Sequence, residues 1–231
     1  MQRLQDGFRA VVIGASGGIG AAVLSALAAD PRAGRVIGLS RSVDGLDVTD
    51  ETAVSAAAAR LKGDGPFDLV FDATGALTID GVGPEKTVKA IDPAMMMKQF
   101  ALNAIGPALI VKHFVPLLPR DRRAVLATLS ARVGSISDNR LGGWISYRAS
   151  KAALNQIFRT AAVEVARTHP QAVLATLHPG TVDTALSSSY TVSHAKLSPA
   201  EAAAHLLSAL DGVEAAESGA FVAYDGERIG Y

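Results

Sequence analysis

The stretch that decides the fold is WISYRASKAAL, residues 144–154. We predict that it forms the entry and first turns of a helix, on which Tyr147 and Lys151 share one face because they stand four positions apart. A phenol with a pKa of about 10 is a poor acid near neutral pH, but a nearby ammonium favours the phenolate and lowers that pKa. The pair therefore predicts a proton donor tuned toward working pH, and an amphipathic tyrosine beside a surface lysine is the alternative.

A glycine-rich segment near the start of the chain strengthens the first interpretation. Residues 8–13, FRAVVI, are apolar and partly β-branched, which predicts a buried strand of a parallel sheet. Glycine-rich residues 14–20 follow, and an alanine-rich helix comes next. This order suits a pyrophosphate, whose charge lies at the exposed amides of a helix N-terminus, and a glycine turn without a ligand is the alternative. The spacing is Gly-x-x-x-Gly-x-Gly, formed by Gly14, Gly18 and Gly20.

Size and charge limit the classes of protein to consider. At 231 residues the chain can bury the core of one α/β domain, and we expect a single domain over residues 1–231. The chain has 22 basic and 22 acidic residues, which predicts no general attraction to nucleic acid or to an anionic membrane. Its five histidines show no metal-ligand spacing, so we expect no metal site.

Cysteine and apolar content bear on the compartment. The absence of cysteine excludes a disulfide framework and a thiolate nucleophile, which fits a cytoplasmic protein. Residues 1–9 are polar and lack the apolar segment of a signal peptide. No run approaches the roughly 20 apolar residues that cross a bilayer, so we expect no membrane segment.

The residues after the second predicted strand, 35–39, bear on cofactor choice. An acidic residue at this point accepts hydrogen bonds from the ribose of NAD, whereas an arginine accommodates the 2′-phosphate of NADP. Arg41 stands here and favours NADP, with NAD as the alternative and an ordinary solvated arginine as the interpretation without function. Few residues separate Arg41 from residues 46–49, so we expect a truncated connection in place of a full crossover helix.

The rest of the chain continues the alternation of strands and helices. Residues 76–93 are rich in glycine, proline and polar residues and form a predicted loop at the carboxyl end of a strand, where ligand crevices lie. The polar run 187–194 is either a substrate lid or a surface loop. Further predicted strands are 66–71, 123–129, 173–177 and 220–223, and further predicted helices are 50–62, 93–118 and 199–210.

Taken together, these features resemble the short-chain dehydrogenase/reductase family, in order and over essentially the whole chain. The matching motifs are the glycine pattern, Asp47-Val48, Ala73-Thr74-Gly75, Asn103, Tyr147 with Lys151, and Pro179-Gly180-x-Val182-x-Thr184. Three further segments are the Gly-Ser-Ile-Ser-Asp-Asn loop at 134–139, Gly142-Gly143-Trp144 and Asp225-Gly226. In these segments the chain is similar to the family's branch of bacterial C-factor and fly Sniffer carbonyl reductases. The resemblance implies a single Rossmann-type α/β domain, a doubly wound parallel sheet of about seven strands flanked by helices, assembled as homodimers or homotetramers.

The resemblance also implies the roles of individual residues. Tyr147 would exchange a proton with the substrate oxygen, Lys151 would lower the pKa of that tyrosine, and Asn103 would hold a water in the proton relay. NADP, or NAD as the alternative, would be bound by Gly14, Ser16, Gly17, Gly18, Ile19, Gly20, Arg41, Asp47, Val48, Ala73, Thr74, Gly75, Tyr147, Lys151, Pro179, Gly180, Val182 and Thr184.

One departure from the family pattern qualifies the expected activity. The active-site serine of the family begins a Ser-x-x-Gly, and alignment on Gly134 puts Ala131 in that position. Ser130 is adjacent but points to the opposite face of an extended strand, and Ser135 is the candidate by distance from the tyrosine.

The resemblance as a whole implies an NAD(P)-dependent oxidoreductase acting on a carbonyl or alcohol. An NADP(H)-binding signalling or regulatory module with little turnover is the alternative.

Overall fold

Short apolar runs form the sheet of this protein. The computed structural model describes residues 1–184 and 196–231, so the predicted lid or surface loop at 187–194 lies outside the described residues. Within these residues the strands are β1 (Phe8–Ile13), β2 (Ala33–Leu39), β3 (Leu69–Asp72), β4 (Ala124–Leu129), β5 (Ala172–His178) and β6 (Phe221–Ala223). The α-helices are α1 (Gly18–Ala28), α2 (Arg41–Asp44), α3 (Glu51–Leu61), α4 (Pro93–Phe100), α5 (Gly106–Phe114), α6 (Ile145–Val165) and α7 (Pro199–Asp211).

All strand pairs between these elements are parallel, in the order β2-β1-β3-β4-β5-β6. Successive strand residues alternate between two cores, as the period of a strand requires. One core lies between the sheet and helices α3, α5 and α6. The other lies between the sheet and helices α1 and α7. Helices on both faces explain why β3 and β4 are buried throughout and carry no polar-apolar alternation. The predicted doubly wound α/β class is confirmed.

The expected count of about seven strands was wrong, because the described residues form a sheet of six. The cause is the short connection that follows β2. Between Leu39 and Glu51 the only helix is the four-residue α2, whereas a further parallel strand needs a crossover of about a dozen residues. The predicted truncation of this connection is confirmed, and it leaves β2 at the edge of the sheet.

The strand order places a crevice at one end of the sheet. From β1 the chain moves to β2 on one side and then to β3 on the other, so the direction of winding reverses beside β1. Ligands of open α/β sheets bind outside the carboxyl ends of the strands at such a reversal. The loops that follow β1, β3, β4 and β5 meet at this edge of the sheet.

The predicted helix 93–118 is not a regular α-helix. Its middle, Ala101–Ile105, is π-helical, and a 3-10 turn at Val115–Leu117 ends it. Single π-turns are rare and occur often at functional sites, and this one carries Asn103.

The sequence led us to expect no segment that could cross a bilayer. The 25-residue run Pro93–Leu117 is nevertheless long and apolar enough to cross one, judged by length and composition alone. Core helices also pass that test, and this run packs against α3 and α6.

Candidate active site

A cleft of about 490 Å³ opens at the carboxyl ends of the strands. Its floor is the N-terminus of α1, and its walls come from the loops after β3, β4 and β5 and from the first turns of α6. The lining residues are Gly17, Gly18, Ile19, Gly20, Ala73, Thr74, Gly75, Leu77, Leu129, Ser130, Ala131, Arg132, Val133, Trp144, Tyr147, Lys151, His178, Pro179, Gly180, Thr181, Val182 and Thr184.

The glycine turn shapes the floor of the cleft. Gly14 follows β1 with φ +80, a conformation that favours glycine. A Cβ on Gly20 would overlap the carbonyl of Gly14, and a Cβ on Gly18 would lie 2.7 Å from the Thr184 Cγ2 atom. Gly17 caps α1 without a side-chain hydrogen bond, and the first turn carries no acidic residue. The chain thus leaves space and uncapped amides at a helix N-terminus, which fits the diphosphate of a dinucleotide.

Tyr147 and Lys151 form the opposite wall of the cleft. Lys151 is only 3% exposed. Its Nζ donates a hydrogen bond to the Leu129 carbonyl at 2.8 Å and lies 5.9 Å from the centre of the Tyr147 ring. Burial lowers the pKa of Lys151 to about 8, an effect that the charge of Asp72 partly opposes. The lysine therefore remains mainly a cation at neutral pH and favours the phenolate of the neighbouring tyrosine.

Asp72 is the buried carboxyl group that faces this lysine. It is the last residue of β3 and has no exposed surface. Its oxygens accept hydrogen bonds from the Thr74 amide and hydroxyl and from the Thr128 hydroxyl. Burial raises the pKa of Asp72, while these hydrogen bonds and the charge of Lys151 act in the opposite direction. The charges of Lys151 and Asp72 thus influence each other while both side chains are buried.

Asn103 joins the π-turn to the loop that follows β3. Its Nδ2 donates to the Ala76 carbonyl at 2.9 Å and to Gln99 at 2.6 Å, and its Oδ1 accepts from the Ala76 amide at 3.0 Å. A Cβ on Gly75 would lie 2.9 Å from that Oδ1 and 3.1 Å from the Lys151 Nζ. Both amide hydrogens of Asn103 are used within the protein. A relay water would therefore have to bind its backbone carbonyl or the remaining lone pair of Oδ1.

Comparison with known proteins identifies the family. Residues 16–229 match a family described as enoyl-(acyl carrier protein) reductase. The 1-hydroxy-2-glutathionyl-2-methyl-3-butene dehydrogenase of Rhodococcus sp. (strain AD45) is 34% identical over 183 residues, 79% of this chain and 76% of that protein. The C-signal protein of Myxococcus xanthus is 30% identical over 166 residues, 71% of this chain and 93% of its own.

The chain belongs to the short-chain dehydrogenase/reductase family. Among solved structures, the NADPH-bound carbonyl reductase from chicken fatty liver is similar to this dehydrogenase/reductase, with a TM-score of 0.81 and 25% identity. The alignment covers 99% of this chain and 96% of that one. The family resemblance drawn from the sequence motifs is thereby confirmed.

Most cofactor residues predicted for this dehydrogenase/reductase line the cleft, but some lie outside its lining. Those outside are Gly14, Ser16, Arg41, Asp47 and Val48, and Asn103, which was predicted to hold the relay water, also lies outside the lining. Arg41 is exposed at the start of α2. Hydrogen bonds from Thr49 lower the pKa of Asp47, and the charge of Arg41 adds to this effect. The Val48 side chain is buried against Gly106, so a ligand at this position would meet mainly backbone atoms.

The hydroxyl groups of both candidate serines, Ser130 and Ser135, have partners within the protein. Ala131, which alignment on Gly134 predicts in the position of the family's serine, lines the cleft. The Ser130 hydroxyl donates to the Asn155 Oδ1 atom at 2.8 Å, and the Ser135 hydroxyl donates to the Gly230 carbonyl at 2.5 Å. Ser135 is buried and outside the lining of the cleft. Neither serine therefore presents an uncommitted hydroxyl to a substrate in this dehydrogenase/reductase.

Two other residues on the cleft wall, Trp144 and His178, were not predicted as site residues from the sequence. Trp144 adopts a left-handed conformation with φ 53, and its ring meets Tyr147 edge to face at 6.3 Å. The Glu85 backbone carbonyl accepts a hydrogen bond from the Trp144 amide at 2.5 Å. The Glu85 side-chain carboxylate accepts hydrogen bonds from the amide and the hydroxyl of Ser146. His178 is the last residue of β5. The sequence could have identified His178 as a candidate, because it comes directly before Pro179-Gly180 at the carboxyl end of a predicted strand, where ligands bind.

Proposed function

We propose that this protein is an NADP-dependent carbonyl reductase or alcohol dehydrogenase in which Tyr147 exchanges a proton with the substrate oxygen. The observation that carries the proposal is the cleft itself. Tyr147 and Lys151 lie on one wall, and the glycine turn at the N-terminus of α1 forms the floor. A proton-transfer group and a dinucleotide cradle therefore open into the same space.

The choice of NADP is supported by one residue and one relative. Arg41 is exposed after β2, where an arginine accommodates a 2′-phosphate. The structurally similar carbonyl reductase from chicken fatty liver binds NADPH. The glycine turn would hold the diphosphate, and residues 179–184 would adjoin the nicotinamide. When bound, the cofactor supplies or takes up the hydride at the substrate carbon.

The chain's own residues handle the proton. In reduction, Tyr147 gives its phenolic proton to the carbonyl oxygen, and in oxidation it takes the proton from the alcohol. Lys151 supports both directions because its positive charge stabilises the phenolate form. Its hydrogen bond to the Leu129 carbonyl uses one of three ammonium protons and holds the amine in place, 5.9 Å from the Tyr147 ring centre.

The test is turnover by the purified protein with NADPH and a panel of aldehydes, ketones and quinones, followed as loss of the reduced cofactor. We expect Tyr147→Phe to lower kcat by about 10² to 10⁴, the usual contribution of general acid catalysis, without weakening NADPH binding. Tyr231→Phe is the matched control, because this phenol lies outside the cleft lining and donates to the Gly219 carbonyl. Full activity of Tyr147→Phe would refute the assigned role.

Ala131 favours a second candidate, a dinucleotide-binding module with a regulatory role. With a methyl group in the serine position, one hydrogen bond to the substrate oxygen is missing. This candidate predicts saturable NADPH binding in titration and no loss of reduced cofactor with any member of the panel. The same purified protein therefore separates the two candidates.

Assembly of two or more copies remains part of the proposal. Large apolar side chains are exposed on the helical layer at Met97, Ile105 and Val163, with exposures of 66%, 51% and 55%. Burial of such residues against a second copy would remove apolar surface from water. Sedimentation of the purified protein would show a dimer or tetramer, and a monomer at all concentrations would contradict it. The cytoplasmic location stays a prediction.

A further inference from the structure

His178 lies beside the position that Ala131 leaves without a hydroxyl. In the parallel register of β4 and β5, Leu129 pairs with Leu177, so Ser130 and His178 follow side by side. His178 and Ala131 both line the cleft that contains Tyr147. A polar side chain therefore lies beside Ala131, where the hydroxyl of the family's serine is missing.

The hydrogen bond to Arg132 determines which ring nitrogen of His178 carries a proton. The Arg132 backbone amide donates to the His178 Nδ1 atom at 3.3 Å. A backbone amide can only donate, so Nδ1 must be the unprotonated acceptor and Nε2 must carry the proton of the neutral ring. Burial lowers the pKa of His178 to about 4, and the positive charge of Arg132 adds to this effect. The ring is therefore neutral at pH 7, with an N–H group at Nε2.

This N–H group is available to a ligand. Within residues 1–184 and 196–231, the only hydrogen bond of the His178 ring is the one at Nδ1. His178 is one of the residues that line the cleft, so a ligand bound there lies beside this side chain. In this structure the Ser130 hydroxyl donates to Asn155, and Ser135, whose hydroxyl donates to Gly230, lies outside the lining of the cleft.

We propose that the Nε2–H group of His178 donates a hydrogen bond to the substrate carbonyl oxygen and takes over the function of the serine that Ala131 replaces. The inference rests on the proposed reductase function and adds a catalytic residue to it. A neutral imidazole held as an N–H donor can polarise a carbonyl, as in triosephosphate isomerase. With Tyr147 as the second donor, the developing negative charge on oxygen has two hydrogen bonds, the arrangement of an oxyanion hole.

The decisive variant is His178→Asn. The asparagine Oδ1 can accept the Arg132 amide in place of Nδ1, so the structural hydrogen bond is kept, but the shorter side chain has no donor at the Nε2 position. We expect kcat to fall by about 10² to 10³, the usual cost of one oxyanion donor. NADPH affinity should stay within about twofold, because the variant removes a substrate contact only. His205→Asn, at an exposed position of α7 outside the cleft lining, is the matched control.

A second substitution tests whether His178 and the missing serine do the same work. In the His178→Asn background, Ala131→Ser should restore kcat by at least about tenfold, whereas alone it should change kcat by less than about threefold. A protein stabilised by His178 only as a structural residue would show no such rescue. Melting temperatures measured on the same samples report whether each variant is folded.

One readout does not depend on turnover. Nitrogen-15 NMR of the imidazole nitrogens at pH 7 should show His178 neutral with the proton on Nε2, and a proton on Nδ1 would overturn the inference. It is equally overturned if folded His178→Asn turns over within about threefold of the wild type, or if Ala131→Ser fails to rescue it. If the wild type itself reduces no carbonyl compound, the proposed function fails, and the inference fails with it.

Discussion

Lys151 offers a quantitative prediction about stability and pH. Its pKa is lowered from the ordinary value of 10.5 to about 8, chiefly by burial and against the opposing charge of Asp72. Each pH unit of such a difference corresponds to about 1.4 kcal/mol, so the lowered pKa corresponds to roughly 3 kcal/mol. The folded protein bears this cost while the ammonium is charged, in exchange for a cation beside Tyr147.

The direction of the effect follows from proton counting. Between pH 8 and 10.5 the folded chain has lost the Lys151 proton while the unfolded chain still holds it. The unfolded state therefore binds more protons, and the free energy of unfolding rises with pH across this window. Below pH 8 both states hold the proton, and this contribution is constant.

The perturbation is Lys151→Met, which removes the titrating group and keeps a long apolar side chain. We expect the free energy of unfolding of the wild type to rise by roughly 3 kcal/mol relative to the variant between pH 7 and 10.5. The assay is urea unfolding of both proteins at several pH values. Lys89→Met, at an exposed lysine, is the control and should follow the wild type. A difference between wild type and Lys151→Met that does not change with pH would refute the reasoning.

Two further predictions concern the loop after β3 and the cofactor. Gly75→Ala should lower the free energy of unfolding by about 1 to 3 kcal/mol more than Gly45→Ala, measured in urea. Both glycines have positive φ, but only at Gly75 would the methyl meet Asn103 Oδ1 at 2.9 Å and Lys151 Nζ at 3.1 Å. Equal losses would contradict this. Arg41→Ser should weaken NADPH binding by at least about tenfold and leave NADH binding nearly unchanged, because only NADPH carries the 2′-phosphate; equal effects on both titrations would refute it.

Local patterns account for what the sequence predicted correctly. The apolar run before Gly14 predicted β1, and the glycines that follow predicted the turn into α1, because both depend on neighbouring residues. Tyr147 and Lys151 were placed on one helical face by spacing alone. The short connection after Arg41 was also visible from the residue count. Its consequence for the sheet, the loss of a strand, was missed because the expected strand number came from the family.

The partners of each polar group could not be predicted, because they come from distant parts of the chain. Ser130 and Ser135 were equal candidates in the sequence. Their hydroxyls are occupied by Asn155 on α6 and by Gly230 near the end of the chain. The same holds for His178 at the end of β5, whose tautomer depends on the backbone amide of Arg132, after the neighbouring strand β4.

The sequence by itself thus determined the order of elements, the glycine turn and the tyrosine-lysine pair, since each follows from the periodicity of a short segment. Only the tertiary structure decided the number of strands, the closeness of Asp72 to Lys151 and the hydrogen bond that His178 Nδ1 accepts. Burial and hydrogen-bond pairing depend on which segments the fold brings together, and no local pattern records that information.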